Sequence, residues 1–468
     1  MKFYKVFLIF SIAILLITNG LASGEDASFE NREVPQWYQD AKLGIFIHWG
    51  IYSVPAFATG KMDIEEVFRT LRFDLWLADN PYSAWYLNSM KIEGSPTQKY
   101  HVETYGENFL YENFAKEFNK SAEKWNPHDW AELFKEAGAR YVVLTSKHHD
   151  GFLLWPGETP HPSKSNYYAS RDIVGELTKA VRQKDMHMGL YYSSGLDWTF
   201  KTIPIKDLPT FMAAVPQTPE YADYVDSHWR ELIRRYKPEV LWADIGSPGT
   251  LDLESLFNYY YTEVPTGVVN DRHRIDITAQ KKFHHDFATQ EYMVLEDISE
   301  KKWESTRGMG RSFAYNKMDN EYISVDEIVD TLVDIVSKNG NFLLNIGPKP
   351  HGMIPEGQRK RLLGLGAWLK INGEAIYGSH YWDRAEGKTS GGVSLRFTKN
   401  HGNLYAILLE RPESESVTIM DLTVSKDAEI NLLGTEGKLS WEQTGEDLTI
   451  KMPEEYADSE AYVLRIKG

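Results

Sequence analysis

The stretch that decides the fold runs from Tyr141 to Ser193, where two apolar runs flank one amphipathic segment. YVVLTSK at Tyr141–Lys147 is rich in β-branched residues, and HMGLYYS at His187–Ser193 is a second short apolar run. Asp172 is placed to cap a helix between them. The apolar residues of that helix recur at helical spacing: Ile173, Leu177, Ala180 and Val181. A strand, a helix and a strand in this order predict a parallel sheet.

The same alternation extends in both directions, from about residue 40 to residue 373. Further strands are predicted at Leu43–Trp49, Val240–Gly246 and Asn341–Ile346. Further helices are predicted at Trp125–Ala137, Glu220–Tyr236, Ser324–Lys338 and Pro355–Ile371. This many strand–helix units predict closure of the sheet into a (β/α)8-like barrel over residues 25–373, so the fold class is α/β.

After Gly373 the helical periodicity ends, and short apolar runs follow one another between turn residues. Strands are predicted at Leu404–Leu409, Val417–Leu422, Glu429–Leu433, Leu448–Met452 and Tyr462–Ile466. Several short strands without helices between them are typical of an antiparallel β-sandwich. Residues 374–468 are therefore predicted to form a second, C-terminal β-sandwich domain. No Ser- or Pro-rich linker precedes it, which favours tight packing against the barrel.

Residues 1–24 have the order of a secretory signal peptide. Two lysines are followed by an almost wholly apolar run from Val6 to Thr18, and small residues then precede the acidic pair Glu25-Asp26. The alternative is a retained anchor, but the run is shorter than the roughly 20 residues that a membrane-spanning helix needs. We expect an exported protein, periplasmic or secreted, with no membrane span after the signal peptide is removed.

Composition excludes several classes of function. The 468 residues carry a formal net charge of −16, and such a surface repels phosphate backbones, so we expect no nucleic-acid partner. The absence of cysteine excludes disulfides, thiolate metal sites and a cysteine nucleophile. A homo-oligomer is compatible with the sequence.

Polar and aromatic residues follow the predicted strands where each strand ends. Because barrel enzymes hold their sites at the carboxyl ends of the strands, these segments are the candidate site. They are His48–Gly50, Lys147–Gly151, Tyr191–Ser193, Trp242–Gly246 and Val269–Arg272. Strand alternation places Trp242 and Asp244 on the same side of their strand, at the mouth of the barrel.

Two carboxylates from different strand ends are what glycoside hydrolysis requires, one as nucleophile and one as acid and base. Asp244 is the first candidate, with a loop or helix-capping role as its alternative. Glu291, at the start of another apolar run, is indistinguishable by itself from a surface glutamate.

The histidine pairs His148-His149 and His284-His285 suggest a metal site. Neighbouring residues on a strand point to opposite sides, however, so each pair offers one ligand to a site. No H-x-H or H-E-x-x-H spacing occurs. We therefore expect hydrogen-bonding histidines, no metal and no cofactor, and keep a metal-dependent hydrolase as an alternative.

Taken together, these segments resemble the α-L-fucosidases of glycoside hydrolase family 29. The resemblance runs from about Pro35 to Trp382 and depends on the order and spacing of several motifs. They are Trp37-Tyr38, Gly44–Gly50, Lys147–Phe152, Tyr191–Ser193, Leu241–Asp244, Asn270–Arg272, Trp303-Glu304 and Gly340–Pro348.

The resemblance implies an exo-acting, retaining enzyme that releases L-fucose from a fucosylated oligosaccharide or glycoconjugate. It implies Asp244 as the nucleophile and Glu291 as the acid and base. It also implies fucose binding by His48, His148, His149, Tyr192, Trp242 and Arg272, and either Trp85 or Trp242 can face the methyl group of the sugar. For His148 and His149 to reach one sugar, the strand alternation must lapse between them.

One position departs from the family pattern. The bacterial enzymes that look most similar have a glutamate before the Trp-Tyr pair of the early loop, and here Ala84 precedes Trp85-Tyr86. The glutamate's charged hydrogen bond to the sugar, worth about 1.5–3 kcal/mol, would be missing. The alternative function is therefore a glycoside-binding homologue with weakened catalysis or altered specificity.

Overall fold

The computed structural model describes Phe29 and residues 32–62, 64–274, 283–319 and 321–468. Within these residues, eight parallel strands form one curled sheet in the order β5-β4-β3-β2-β1-β8-β7-β6. Their bounds are β1 Leu43–Ile47, β2 Tyr141–Lys147, β3 His187–Tyr192, β4 Val240–Ala243, β5 Val268–Val269, β6 Ala288–Glu291, β7 Trp303–Gly308 and β8 Gly340–Ile346. A parallel bridge between Asn270 and Phe287 joins the two edges of this sheet. The predicted barrel is thereby confirmed.

Except for the half-buried β6, the sheet strands are largely buried on both faces, and successive residues alternate between two apolar clusters. One cluster fills the inside of the barrel and includes Phe46, Val143 and Leu343. The other contains their neighbours Ile45 and Leu344, which pack outward against the helices. This alternation decides which side chain of each strand end enters the barrel mouth.

Helices surround the sheet. Their bounds are α1 Gln36–Ala41, α2 Ile64–Thr70, α3 Phe73–Ala78, α4 Tyr86–Ser89, α5 Pro96–Tyr105, α6 Phe114–Ala122, α7 Pro127–Glu136, α8 Ile173–Arg182, α9 Leu208–Met212, α10 Pro219–Tyr236, α11 Leu253–Glu263, α12 Val325–Ser337 and α13 Glu356–Asn372. The side chain of Asp172 caps α8, and Ser324 forms a capping box with Glu327 at the start of α12, as their sequences predict.

The strand predicted over Val240–Gly246 is shorter in the structure. It ends at Ala243, because Ile245 adopts a left-handed backbone with φ of 55° and Gly246 follows with φ of 78°. β5 ends at Val269, where the sequence predicts a strand end, and it has only two residues. Strands β6 and β7 had no prediction as strands. Both are polar along much of their length, so neither has the apolar run that marks a buried strand.

The C-terminal part consists of two antiparallel sheets, as predicted. One has the order β13-β16-β11-β10-β9 and the other β12-β15-β14. The bounds are β9 His380–Lys388, β10 Ser394–Asn400, β11 Asn403–Leu408, β12 Ser416–Ile419, β13 Glu429–Leu432, β14 Trp441–Thr444, β15 Asp447–Lys451 and β16 Tyr462–Lys467. Strands β9, β10 and β14 are additions to the predicted set.

This second part packs directly on the barrel. Tyr405, Ile407 and Val463 belong to the same apolar cluster as the helices around the barrel. The indole nitrogen of Trp368 on α13 donates to the carbonyl oxygen of Ala461 at 3.0 Å. The contact between the barrel and the C-terminal sheets is therefore part of a continuous apolar core.

The predicted signal peptide, residues 1–24, lies outside the described residues. Within the described part of the chain, no helix has both the length and the apolar content that crossing a bilayer requires.

Candidate active site

A cavity of about 220 Å³ opens at the carboxyl ends of the barrel strands. Its lining contains eight of the nine predicted site residues, most of which lie at strand ends. These eight are His48, Trp85, His148, His149, Trp242, Asp244, Arg272 and Glu291. Predicted residues that are separated by up to 243 positions in the sequence therefore line one cavity.

Asp244 is held by three donors. Its Oδ1 accepts from the backbone N–H of Ile245 at 3.0 Å and from Nη1 of Arg272 at 3.1 Å. Its Oδ2 accepts from the hydroxyl of Tyr191 at 3.0 Å. Three donors fix the orientation of this carboxylate at the cavity, as the position of a nucleophile requires.

Glu291, at the end of β6, shares Arg272 with Asp244. Nη1 of Arg272 contacts Oε2 of Glu291 at 3.3 Å, and the hydroxyl of Tyr82 donates to Oε1 at 2.9 Å. Burial raises the pKa of Glu291, and the charge of Asp244 raises it further, while Arg272 and Tyr82 oppose both effects. A raised pKa favours the protonated carboxyl group, which is the form that a general acid needs.

Both carboxylates stand immediately before a residue with left-handed backbone. Ile245 follows Asp244 with φ of 55°, and Tyr292 follows Glu291 with φ of 56°. This conformation is uncommon for bulky residues and is concentrated at functional sites. It turns the chain sharply out of each strand directly after the carboxylate.

His48 and His149 are neutral hydrogen-bond acceptors toward the cavity. The amide nitrogen of Asn345 donates to the carbonyl oxygen of Phe313, so its Oδ1 must accept from Nδ1–H of His48 at 2.6 Å. Ser193 likewise donates to the carbonyl oxygen of Leu196 and accepts from Nδ1–H of His149 at 2.6 Å. Burial lowers the pKa of His48 to about 4 and that of His149 to about 3. Each ring therefore retains an unprotonated Nε2, which can accept a hydrogen bond from a hydroxyl group.

His148 and His149 both line the cavity, as the resemblance requires. The pairing of β2 with β3 shifts register between Thr145 and Lys147, so strict alternation is lost before the two histidines. Their rings lie 4.0 Å apart at an interplanar angle of 39°. Burial lowers the pKa of His148 well below its usual value, so this ring is neutral too.

Trp242 is fixed from below by a carboxylate inside the barrel. Its indole nitrogen donates to Oε1 of Glu304 at 2.9 Å, and Oε2 of Glu304 accepts from the hydroxyls of Tyr38 and Tyr141. The Arg272 guanidinium lies 4.9 Å from the centre of the Trp242 ring. Glu304 thus orients the Trp242 ring, and Arg272, which contacts both Asp244 and Glu291, packs against that ring. Trp303-Glu304 contributed to the family resemblance, but the sequence gave Glu304 no role.

Tyr192 is the predicted site residue that the structure places outside the cavity lining. Its hydroxyl contacts Nδ1 of His228 at 3.0 Å, and its ring packs outward against Trp229 of α10. The tyrosine that lines the cavity is Tyr191, which pairs with Trp242 across β3 and β4. The physical reason is strand alternation, which sends adjacent tyrosines to opposite faces, and the same rule applied from Trp242 identifies Tyr191.

Ala84 lies next to the cavity wall and not on it. It packs in a small buried cluster with Tyr52 and Ala314, while the neighbouring Trp85 lines the cavity. Trp85 makes an edge contact with the ring of His149 at 5.6 Å.

Several lining residues had no individual role in the prediction, although Tyr191 and Ile245 lie in predicted strand-end segments. They are Phe46, Ile64, Phe73, Trp76, Leu77, Tyr82, Tyr191, Leu208, Phe211, Ile245, Thr306 and Phe313. Most come from loops and short helices, whose apolar side chains resemble core residues in sequence. No group of three or more His, Asp or Glu side chains in the described ranges is arranged to hold a metal ion.

Comparison with known proteins agrees with this geometry. A family model described as Alpha-L-fucosidase matches residues 19–374, and a model described as Alpha-L-fucosidase C-terminal domain matches residues 389–467. The alpha-L-fucosidase of Dictyostelium discoideum is 33% identical over 480 residues, which cover 96% of this chain and 95% of that protein.

Two crystal structures of the Thermotoga maritima alpha-fucosidase are also similar. The complex with a mechanism-based inhibitor is 44% identical with a TM-score of 0.85, covering 95% of this chain and 100% of that one. The complex with fucose is 45% identical with a TM-score of 0.83, covering 94% and 98%. The family resemblance is confirmed, and the chain belongs to the alpha-L-fucosidase family of glycoside hydrolases.

Proposed function

We propose that this chain is an exo-acting, retaining alpha-L-fucosidase that releases terminal L-fucose by double displacement. The observation that carries the proposal is the shared contact of Asp244 and Glu291 with one nitrogen of Arg272, inside the cavity at the barrel mouth. The fucose complex of the Thermotoga relative supports the identity of the sugar.

In the first step, the Asp244 carboxylate attacks the anomeric carbon while Glu291 donates its proton to the leaving oxygen. The bond to the aglycone breaks as the bond to Asp244 forms, which gives a covalent fucosyl-enzyme and a free alcohol. In the second step, Glu291 takes a proton from water as the water attacks the anomeric carbon, and Asp244 leaves. Two inversions give net retention of configuration.

The shared arginine contact agrees with a retaining mechanism. The Asp244 and Glu291 oxygens lie 3.1 and 3.3 Å from the same atom, Nη1 of Arg272. Retaining enzymes hold their two carboxyl groups closer together than inverting enzymes do, and a shared contact is compatible with such a close pair.

The floor of the cavity supplies partners for a sugar. The unprotonated Nε2 atoms of His48 and His149 can accept hydrogen bonds from hydroxyl groups. Arg272 can donate to a hydroxyl oxygen, and the face of Trp85 can contact the apolar C–H side of the ring. We assign these residues, with His148 and Trp242, to fucose binding.

The test is hydrolysis of 4-nitrophenyl α-L-fucoside by the wild type and by Asp244→Gly, with both folds checked by circular dichroism. We expect turnover by the wild type and a loss of at least about 10³-fold in the variant, since the nucleophile is removed. Proton NMR of the first product should show the α-anomer of L-fucose. Normal turnover by Asp244→Gly, or a β-anomer as first product, would contradict the mechanism.

Glu291→Ala separates the two catalytic roles. Because proton donation matters most for a poor leaving group, we expect a much larger loss on methyl α-L-fucoside than on a dinitrophenyl fucoside. Equal losses on both substrates would remove Glu291 from the role of acid.

The alternative is a binding protein with weakened catalysis, and it is based on Ala84 at the position of the family's glutamate. It predicts that calorimetry detects L-fucose binding while no aryl glycoside is hydrolysed. A metal-dependent hydrolase predicts activity that chelator treatment abolishes and a divalent cation restores. Undiminished activity in metal-free protein would exclude that second alternative.

We also propose that the protein is exported. The support is the order of charged, apolar and small residues in positions 1–24. Expression of the full chain should yield a mature protein whose N-terminus, read by mass spectrometry, lies near residues 22–25. An uncleaved N-terminus in the cytoplasmic fraction would contradict export.

A further inference from the structure

The cavity has two chemically different halves. Its floor is built from strand ends and carries the three charged side chains and the histidines described above. The outer walls come from three short helices in the connections after β1 and β3, and they are apolar. These wall residues are Ile64 of α2, Phe73, Trp76 and Leu77 of α3, and Leu208 and Phe211 of α9.

The wall begins directly beside the proposed proton donor. The hydroxyl of Tyr82 donates to Glu291 at 2.9 Å, and the Tyr82 ring meets the Trp76 ring edge to face at 5.4 Å. The Trp76 ring in turn lies 6.1 Å from that of Trp85. Because Glu291 is the proposed proton donor, the leaving oxygen and the group attached to it are expected on the Glu291 side of the cavity, where Tyr82 connects Glu291 to this wall.

The walls offer little to a hydroxyl-rich ligand. Among the six wall side chains, the one polar atom is the indole nitrogen of Trp76, and that atom is buried. Leu208 and Phe211 remain half-buried at the cavity, so apolar surface stays available there. A persistent apolar surface at the mouth of a polar site is typical of a binding surface for an apolar group.

We propose that these two walls form the leaving-group subsite, and that the preferred substrates are α-L-fucosides with an apolar alkyl or aryl aglycone. A hydroxyl-rich sugar in this position would lose hydrogen bonds to water without replacement, whereas an apolar group gains by burial. The inference deepens the proposed function and depends on it.

A series of methyl, butyl, hexyl and octyl α-L-fucosides tests the subsite. Leaving-group acidity stays nearly constant along the series, so a trend in kcat/KM reports contact with the walls. We expect kcat/KM to rise by about two- to fourfold per methylene over the first few carbons, since a fully buried methylene corresponds to about fourfold. A fucoside whose aglycone is a hexose should be slower than the octyl fucoside by tenfold or more.

Two serine substitutions on α9 identify the surface responsible. Phe211→Ser should flatten the chain-length dependence and leave inhibition by free L-fucose unchanged. The matched control is Met212→Ser on the same helix, where Met212 is 44% exposed and outside the cavity lining, and it should keep the wild-type dependence.

The outcomes separate this inference from the proposed function. If no fucoside is hydrolysed, the proposed function itself fails. If all alkyl fucosides are hydrolysed equally, or the hexose aglycone is preferred, the enzyme stands and the apolar subsite is wrong. If Phe211→Ser weakens L-fucose inhibition as much as octyl fucoside turnover, the wall contacts the fucose ring, and the inference is overturned.

Discussion

Tyr191 and Tyr192 show how much depends on which face of a strand a side chain occupies. The two residues are adjacent and chemically identical, yet Tyr191 donates to Asp244 and Tyr192 contacts His228 on the helical side. Both are fully buried, so neither composition nor burial distinguishes them. Only the direction in which each side chain leaves the strand gives one of them a place in the site.

Matched phenylalanine variants test this distinction. Tyr191→Phe removes a hydrogen bond to a charged carboxylate, worth about 1.5–3 kcal/mol, so kcat/KM should fall by about 10- to 100-fold. Tyr192→Phe should change kcat/KM by less than about threefold, with its effect seen mainly in the melting temperature. A larger fall in kcat/KM for Tyr192→Phe than for Tyr191→Phe would support Tyr192 as the site residue.

Tyr82 controls the proton donor. Its hydroxyl donates to Glu291 and thereby lowers a pKa that burial raises above the usual value. Glu291 must be protonated to act as acid, so activity declines as pH rises through its pKa.

Tyr82→Phe should therefore shift the alkaline limb of the pH–kcat/KM profile to higher pH, because the interaction that favours the ionised form is lost. The measurement is a full pH profile with an alkyl fucoside, whose leaving group needs protonation. An unchanged limb, or one at lower pH, would show that Tyr82 does not act on Glu291.

At the scale of elements, the loop after β3 supports the backbone that carries Asp244. The N–H of Gly195 donates to the carbonyl oxygen of Asp244 at 3.1 Å. A Cβ on Gly195 would lie 1.9 Å from the carbonyl oxygen of Ile245, so only glycine permits this approach. The left-handed backbone of Ile245 and the close contact with Gly195 together fix the position at which β4 ends and Asp244 leaves the strand.

Gly195→Ala should displace the Asp244–Ile245 backbone and lower kcat by about tenfold or more, since small misplacements of a reacting group are costly. Gly391→Ala in the second domain is the control, because its nearest neighbour would be 3.8 Å away. Activity equal to wild type in Gly195→Ala would show that the loop yields without moving Asp244.

Inside the barrel, Glu304 joins three strands and α1 through its contacts with Trp242, Tyr141 and Tyr38. Glu304→Gln keeps the shape but places an amide NH₂ among three donors. We expect a loss of about 2 kcal/mol in the free energy of unfolding, measured by urea denaturation, together with a fall in kcat. The exposed Glu436→Gln serves as control, and equal stability of the two variants would deny Glu304 this role.

At the scale of the whole molecule, barrel and sandwich share one core. Besides the shared apolar cluster, Lys338 at the end of α12 pairs with Glu386 of β9 at 2.8 Å, and Arg396 of β10 pairs with Asp334 of α12. The sandwich thus supports the helices that surround β7 and β8.

We therefore expect barrel and sandwich to unfold together. Differential scanning calorimetry of the mature protein should show one cooperative transition, and a chain truncated after residue 379 should be less soluble because it exposes the shared apolar face. Two separated transitions, or a soluble and active truncated chain, would contradict this coupling.

The sequence by itself determined the α/β barrel, the C-terminal sandwich, and the carboxylate, histidine and arginine set at the strand ends. These features follow from local rules. The spacing of apolar residues identifies helices and strands, and barrel enzymes hold their active sites at the carboxyl ends of the strands. The family resemblance added Glu291, which nothing local distinguished from a surface glutamate.

Tertiary structure alone decided the rest. Register placed Tyr191 and not Tyr192 at the cavity, and the irregular pairing of β2 brought both histidines into it. The polar strands β6 and β7 form because their neighbours provide hydrogen-bonding edges. The apolar walls combine the neighbouring helices α2 and α3 with α9, which is more than 120 residues away in sequence. Contacts between residues far apart in sequence leave no local pattern, so only the folded chain reveals them.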